Sequence, residues 1–158
     1  MEKTRAPGID YAALADFRFE IRRFLNFSER AARAAGIEPQ QHQALLAIKG
    51  LPPGSKATIG FLAGRLQIRH HSAVELSRRL EVRKWIARAR GQSDRREVLL
   101  ELMPRGEKLL KRLSLAHRNE LSAAGPKLIE ALRSVIARDS SEATRRKRTG
   151  RTSSWHLP

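Results

Sequence analysis

Arginines on one predicted helix are the residues of this sequence best suited to binding an anion. Arg78 and Arg79 are adjacent, and Ser72 and Glu75 precede them at spacings that place all four on one helix face. A guanidinium binds phosphate oxygens or the edge of guanine, whereas hydroxyl groups and carboxylates contact other base edges. The pattern therefore predicts a surface that contacts nucleic acid.

The predicted interface extends to both ends of this helix. Two histidines lie near its start, where base edges are usually read, and a basic hairpin follows it. Paired arginines are also common on solvated helix faces, but the arginines on the hairpin favour a DNA contact. The candidate DNA-binding residues are His70, His71, Ser72, Glu75, Arg78, Arg79, Arg88, Arg90, Asp94, Arg95 and Arg96.

The overall charge supports a polyanionic partner. The 158 residues contain 32 Lys and Arg against 16 Asp and Glu, a formal net charge of +16. Binding of such a cationic protein to DNA is favoured because it releases condensed counterions. An anionic membrane would also attract this charge, but a polybasic membrane binder usually has bulky apolar anchors as well. With no apolar run long enough for a membrane span or a signal peptide, we expect a cytoplasmic protein without a membrane partner.

Other kinds of site find little support. The chain has no cysteine, which excludes disulfides and thiolate chemistry. No carboxylate pair, Ser-His-Asp arrangement or glycine-rich phosphate loop indicates catalysis, so we expect neither an enzyme nor a cofactor. The adjacent His70 and His71 point in different directions on a helix and predict no metal site. His42 and His117 are candidates for lining a ligand or metal pocket, although a packed histidine is the commoner role.

Periodicity and helix-end signals give the order of elements. The predicted helices begin near Asp10, Pro39, Thr58, Ser72, Pro104 and Pro126, and the first two end at Gly36 and Gly50. Residues 85–90 and 98–102 change to a strand pattern around a polar tip. Beyond residue 138 apolar residues nearly vanish, and the basic run 145–148 predicts a disordered tail.

This order predicts a mainly α protein with a small β-hairpin wing, a winged helix-turn-helix. Residues 1–9 are expected to form a flexible N-terminus, and residues 10–137 a single domain. Within that domain, residues 37–103 form the winged helix-turn-helix, flanked by helices at 10–36 and 104–137. Residues 138–158 form the basic tail.

The run from Leu62 to Gly106 resembles the DNA-binding half of the MarR family of bacterial regulators. The resemblance is carried by the following residues: Leu62-Ala63, Leu66, the helix 72–81, Asp94-Arg95-Arg96, Leu102 and Gly106. It implies a homodimer joined by the first and last helices, a pseudo-palindromic DNA operator, and a small-molecule effector pocket between the dimerisation and DNA-binding regions.

Two positions depart from the family pattern. Lys84 replaces a glycine before the first wing strand, and Met103 replaces a threonine before the last long helix. Because a side chain makes a positive φ costly, the turn at Lys84 is expected to shift by a residue or the helix to run longer. The principal hypothesis is a sequence-specific repressor or activator. The alternative is a nonspecific basic nucleic-acid-binding or architectural protein.

Overall fold

The computed structural model describes residues 10–91 and 97–149. Its elements are α1 (Tyr11–Ala34), α2 (Pro39–Lys49), α3 (Ile59–Leu66), α4 (His70–Val82), β1 (Ile86–Arg90), β2 (Val98–Leu102) and α5 (Pro104–Thr149). The mainly α fold with one two-stranded antiparallel hairpin confirms the predicted fold class. The expected flexible N-terminus at residues 1–9 lies outside the described residues.

Side-chain caps explain where the first three helices begin. The Asp10 carboxylate accepts a hydrogen bond from the amide of Ala13 (3.1 Å) at the start of α1. Glu38 and the third residue of α2 form a capping box, and Pro39 opens that helix. The hydroxyl of Thr58 accepts a hydrogen bond from the amide of Phe61 (3.0 Å). Each cap satisfies an amide that the helix itself leaves without a partner.

The last helix differs from the prediction. Pro126 lies inside α5 rather than opening a separate helix, so the predicted break is wrong. The buried Ala124 lies just before this proline, and α5 continues through it to Thr149, beyond the predicted end at residue 137. The disorder predicted for the tail therefore does not extend to the backbone of 138–149, which is helical. Residues 150–158 lie outside the described residues.

The hairpin is fixed to the helix-turn-helix through its second strand. Ile86 lies opposite Leu102 and Arg90 opposite Val98, which sets the register of β1 and β2. The amide of Leu100 donates to the carbonyl of Ala57 (2.7 Å), and an isolated bridge joins Leu99 to Thr58. The residues just before α3 therefore continue the small sheet and hold the wing in place.

The chain divides into two compact units. One comprises Phe27–Asn119 and contains the helix-turn-helix, the wing and a continuous apolar core. Helices α2 and α4 both pack on α3, and Leu45, Leu62 and Leu80 are fully buried between them. This core positions the exposed face of α4.

The other unit comprises Met1–Asn26 and Glu120–Pro158, and both of its helical segments leave apolar side chains exposed. Tyr11, Leu14 and Leu25 recur at helical spacing on α1. On α5 the exposed apolar residues are Leu121, Ile129, Leu132 and Ile136. Over the residues that the structure describes, no helix combines the length and apolar character needed to cross a membrane.

Candidate nucleic-acid interface

One face of α4 is anchored in the core and the opposite face is open to solvent. The anchored face consists of Ala73, Leu76, Ser77 and Leu80, all buried. The hydroxyl of Ser77 donates to the carbonyl of Val74 (2.7 Å), so this polar side chain is satisfied inside the core. The helix begins at His70, slightly before the predicted start at Ser72. A helix buried on all sides would have excluded a groove-binding role, and α4 is not such a helix.

The open face of α4 carries the predicted base- and phosphate-contacting residues. His70, His71, Arg78 and Arg79 are exposed, and Ser72 is partly exposed. Glu75 and Arg78 form an exposed ion pair one turn apart (2.6 Å). Among the described residues Arg79 forms no ion pair, so its guanidinium is the more available of the two for an anion.

Arg88 has different surroundings from those expected of a DNA-contacting arginine. Its guanidinium forms an ion pair with Glu81 of α4 (3.5 Å), and only 19% of the side chain is exposed. Its Nε is buried without a hydrogen-bond partner in the described structure. Alternation along β1 places Arg88 on the same side as the buried Ile86. The sequence contained this signal, because the period-2 pattern that defined the strand also fixes that face.

The rest of the wing offers one further described arginine. Arg90, at the end of β1, is exposed and lies opposite Val98. The wing-tip residues Asp94, Arg95 and Arg96 lie outside the described residues, so their role in DNA binding stays a prediction. Near the base of the wing, Lys56 forms an ion pair (3.4 Å) with Glu97, the residue just before β2.

The turn between α4 and β1 keeps the geometry that a glycine would favour, although it contains none. Lys84 adopts a φ of 56°, and α4 ends at Val82. The expected shift of the turn is therefore wrong. The following residue explains why: Trp85 is buried, its amide donates to Leu80 (3.1 Å) and its carbonyl accepts from Met103 (3.0 Å). These contacts hold Lys84 in a conformation that costs roughly 1–2 kcal/mol.

A glycine on α5 makes room for this turn. A Cβ added to Gly106 would overlap the carbonyl oxygen of Trp85, so α5 approaches the turn more closely than any other residue type allows. The guanidinium of Arg83 lies over the ring of Trp85 at 5.4 Å from its centre. The junction therefore connects α4, β1 and the start of α5 through Trp85.

An open pocket of about 330 Å³ lies beside the exposed face of α4. Arg79 and Leu76 line it from α4, Glu29 and Arg33 line it from α1, and Glu38 lines it from the N-terminal cap of α2. Glu29 and Arg33 form an ion pair (3.2 Å). The pocket thus brings an arginine of the candidate interface next to a second arginine and two carboxylates.

The two histidines singled out in the sequence meet inside the Phe27–Asn119 unit. The ring of His42, from α2, lies 4.8 Å from the ring of His117, from α5, measured between ring centres. Burial, together with the nearby His117, lowers the pKa of His42 to about 4. Sequence alone could place each histidine on a helix face but not bring the two faces together. Across the described residues no group of three or more metal-binding side chains occurs.

The helix-turn-helix region is similar in sequence to a known protein family. The sequence model of the MarR family matches residues 35–97, which include the helix-turn-helix and the first strand of the wing but not the second. The resemblance to the MarR family is confirmed. No curated protein matches the chain.

Solved structures share this MarR-type winged-helix fold. MepR, described as a transcription regulator of the Staphylococcus aureus multidrug efflux pump MepA, is 19% identical with a TM-score of 0.66, covering 84% of this chain and 98% of its own. AbsC, a MarR family transcriptional regulator from Streptomyces coelicolor, is 16% identical with a TM-score of 0.66, covering 89% and 99%. A mutant of S. aureus MepR bound to an oligodeoxyribonucleotide is 18% identical with a TM-score of 0.60, covering 86% and 99%.

Proposed function

We propose that this MarR-type protein is a sequence-specific DNA-binding transcriptional regulator that acts as a homodimer on a pseudo-palindromic operator. The observation that carries the proposal is the open face of α4. Arg79, without an ion pair among the described residues, lies there with His71 and Ser72, and the buried opposite face fixes the helix on the core. The oligodeoxyribonucleotide bound to the structurally similar MepR mutant supports the same assignment.

The role in DNA binding divides unequally among the predicted residues. We assign base reading to Ser72 and His71, a phosphate contact to Arg79, and further backbone contacts to Arg90 and the arginines of the wing tip. Arg78 forms an ion pair with Glu75 in the structure, and it has to break this pair before it can bind a phosphate. Arg88 serves the interface by holding the wing against α4 through Glu81.

The homodimer is supported by the exposed apolar side chains of α1 and α5. Ile129, Leu132 and Ile136 are 51%, 41% and 55% exposed and recur on one face of α5. An apolar stripe of this kind is stable in water only when another surface covers it. A second copy of the chain supplies an identical stripe, and a two-fold dimer presents two α4 helices to successive major grooves.

Footprinting tests the principal claim. On promoter DNA from the native genomic neighbourhood, we expect a protected inverted repeat whose half-sites lie about one helical turn, roughly 34 Å, apart. Competition with random duplex DNA at fixed salt separates this function from the alternative, a nonspecific nucleic-acid-binding protein. Equal competition by random DNA, which the net charge of +16 would support, favours the alternative.

Sedimentation tests the dimer separately. Ile129→Lys places a charge in the apolar stripe and is expected to shift the protein towards monomer. Ser134→Lys adds the same charge at an exposed position on another face of α5 and provides the matched control. An equal effect of both substitutions, or none from either, contradicts the assignment of this stripe to the dimer.

The effector belongs to the same proposal, and we place its site in the pocket beside Arg79. Arg79, which has no ion pair among the described residues, and Arg33, which would exchange Glu29 for the ligand, suit a small organic anion. Such a ligand would occupy Arg79 and compete directly with DNA. A panel of small carboxylates should contain members that weaken DNA binding of the wild type but not of Arg33→Ala. If no member does so, the pocket has no role as an effector site for anions.

A further inference from the structure

His42 and His117 form a closely packed pair in the Phe27–Asn119 unit. Their rings are tilted by 40°, and Phe27 of α1 packs edge-on against His117 with ring centres 5.5 Å apart. Only 3% of His42 is exposed. The pair therefore lies where α1, α2 and α5 meet.

His117 is hydrogen-bonded in a way that suits both of its charge states. Its Nδ1 lies 2.7 Å from the carbonyl oxygen of Leu113, and because a carbonyl only accepts, that nitrogen carries the proton. Its Nε2 lies 2.8 Å from the hydroxyl of Ser28. The hydroxyl donates to a neutral imidazole and accepts from a charged one, so a second ring proton on His117 finds a partner by rotation of one hydroxyl.

His42 differs from His117 in its hydrogen bonding. Its Nδ1 is buried and has no hydrogen-bond partner in the described part of the chain. Protonating it would bury a positive charge beside an imidazole that can itself become positive, and both effects oppose proton uptake. The two histidines therefore accept charge unequally although they touch.

Charged groups on the surrounding helices do not relieve this conflict. His117 is the titratable group that acts on His42. Charged residues of the three helices have contacts of their own: Glu29 pairs with Arg33 on α1, Glu38 caps α2, Lys49 of α2 pairs with Glu107 of α5, and Arg112 of α5 lies at the carbonyl of Ala35.

We propose that the His42–His117 pair is an acid-sensitive switch, in which a proton added to His42 forces its ring out of the core. Displacing His42 loosens α2, whose Leu45 is fully buried in the core and which packs on α3 of the helix-turn-helix. Resting on the proposed function, the consequence is release of DNA in acid. A proton needs no open cavity, which suits a pair as closely packed as this one.

The first test needs no DNA and measures unfolding against pH. The pKa of His42 is lowered from 6.5 to about 4 in the folded state, so the unfolded chain binds more protons in acid. The contribution of His42 to the free energy of unfolding is therefore fully present above about pH 6.5, and it is lost as the pH falls towards 4. At pH 5.5 the wild-type unfolding equilibrium constant should rise about tenfold from this group alone.

Matched variants isolate the effect. His42→Phe keeps an aromatic ring without a titratable group and should remove this part of the pH dependence, whereas His71→Gln, at an exposed position on α4, should retain it. If His42→Phe does not fold, His42→Gln takes its place, and a histidine NMR titration of the wild type follows both rings directly. Identical pH dependence in wild type and His42 variants, or a His42 ring that titrates near pH 6.5, overturns the switch.

The second test joins the switch to DNA. Between pH 7.5 and 5.5, the affinity of the wild type for its promoter fragment should fall relative to that of His42→Phe. Because both proteins contain His70 and His71 on the proposed interface, comparing the two cancels any contribution from these residues. Failure to bind DNA at every pH defeats the proposed function alone, whereas DNA binding with the same pH profile in both proteins defeats the switch alone.

Discussion

Arg79 and Arg88 were both predicted to bind DNA, and the structure separates them. Arg79 is exposed and without an ion pair in the described residues, whereas the guanidinium of Arg88 is held by Glu81 and largely covered. Replacing each residue removes one positive charge. The two replacements should nevertheless change DNA binding in different ways, because only one of them removes a contact with a phosphate or a base edge.

The magnitudes follow from counterion release. Each lost phosphate contact reduces the slope of log affinity against log salt concentration by about 0.9. If Arg79 contacts a phosphate, Arg79→Ala should therefore reduce the salt-dependent loss between about 50 and about 200 mM salt by roughly 3.5-fold. Arg88→Met should leave the slope unchanged. Since a partly exposed ion pair is worth up to about 1 kcal/mol, loosening the wing should lower affinity by at most about fivefold at every salt concentration.

The assay is titration of fluorescent promoter DNA at several salt concentrations. Lys111→Ala, an exposed substitution on α5 outside the proposed interface, controls for the loss of a charge as such. Glu81→Gln should reproduce the offset of Arg88→Met, and the double variant should show little further loss because both substitutions break the same pair. A fall in slope for Arg88→Met as large as that for Arg79→Ala would refute this assignment of roles.

Three further predictions concern the turns that position α4 and the wing. Gly106→Ala should destabilise the protein by about 1–3 kcal/mol, measured by urea unfolding, because its Cβ overlaps the carbonyl of Trp85. Lys84→Gly should raise the free energy of unfolding by about 0.5–1 kcal/mol in the same assay, since glycine adopts a φ of 56° without strain; Lys84→Ala, which retains a Cβ, should not. Thr58→Ala should cost about 1 kcal/mol by thermal unfolding through loss of the cap on Phe61, while Thr58→Ser keeps most of it.

Local signals made most of the fold predictable. Pro39, Thr58 and Pro104 mark helix starts in the sequence and do so in the structure, because caps and proline act within one helical turn. Pro126 shows the limit of this reasoning. A proline that opens a helix and one carried inside a longer helix look alike locally, and only the continuation of α5 distinguishes them.

The candidate site was predictable as a face but not as a set of contacts. Helical spacing correctly separated the buried Leu76 and Leu80 from the exposed Arg78 and Arg79. Strand alternation, if carried from Ile86 to Arg88, would also have turned Arg88 towards the core. The ion pair with Glu81 could not be predicted, because it depends on how closely β1 lies against the end of α4.

The turn at Lys84 and the ion pair of Arg88 together hold the wing against α4. Lys84 is held at a positive φ because Trp85, on its C-terminal side, is fixed by Leu80 and Met103. Two residues beyond Ile86, Arg88 ties the same strand back to α4 through Glu81. The wing is thus set by contacts to α4 on one strand and to Ala57 on the other. The position of the wing relative to α4 therefore depends on backbone hydrogen bonds, packing and the Arg88–Glu81 ion pair, and not on Arg79 or Arg90, which stay exposed.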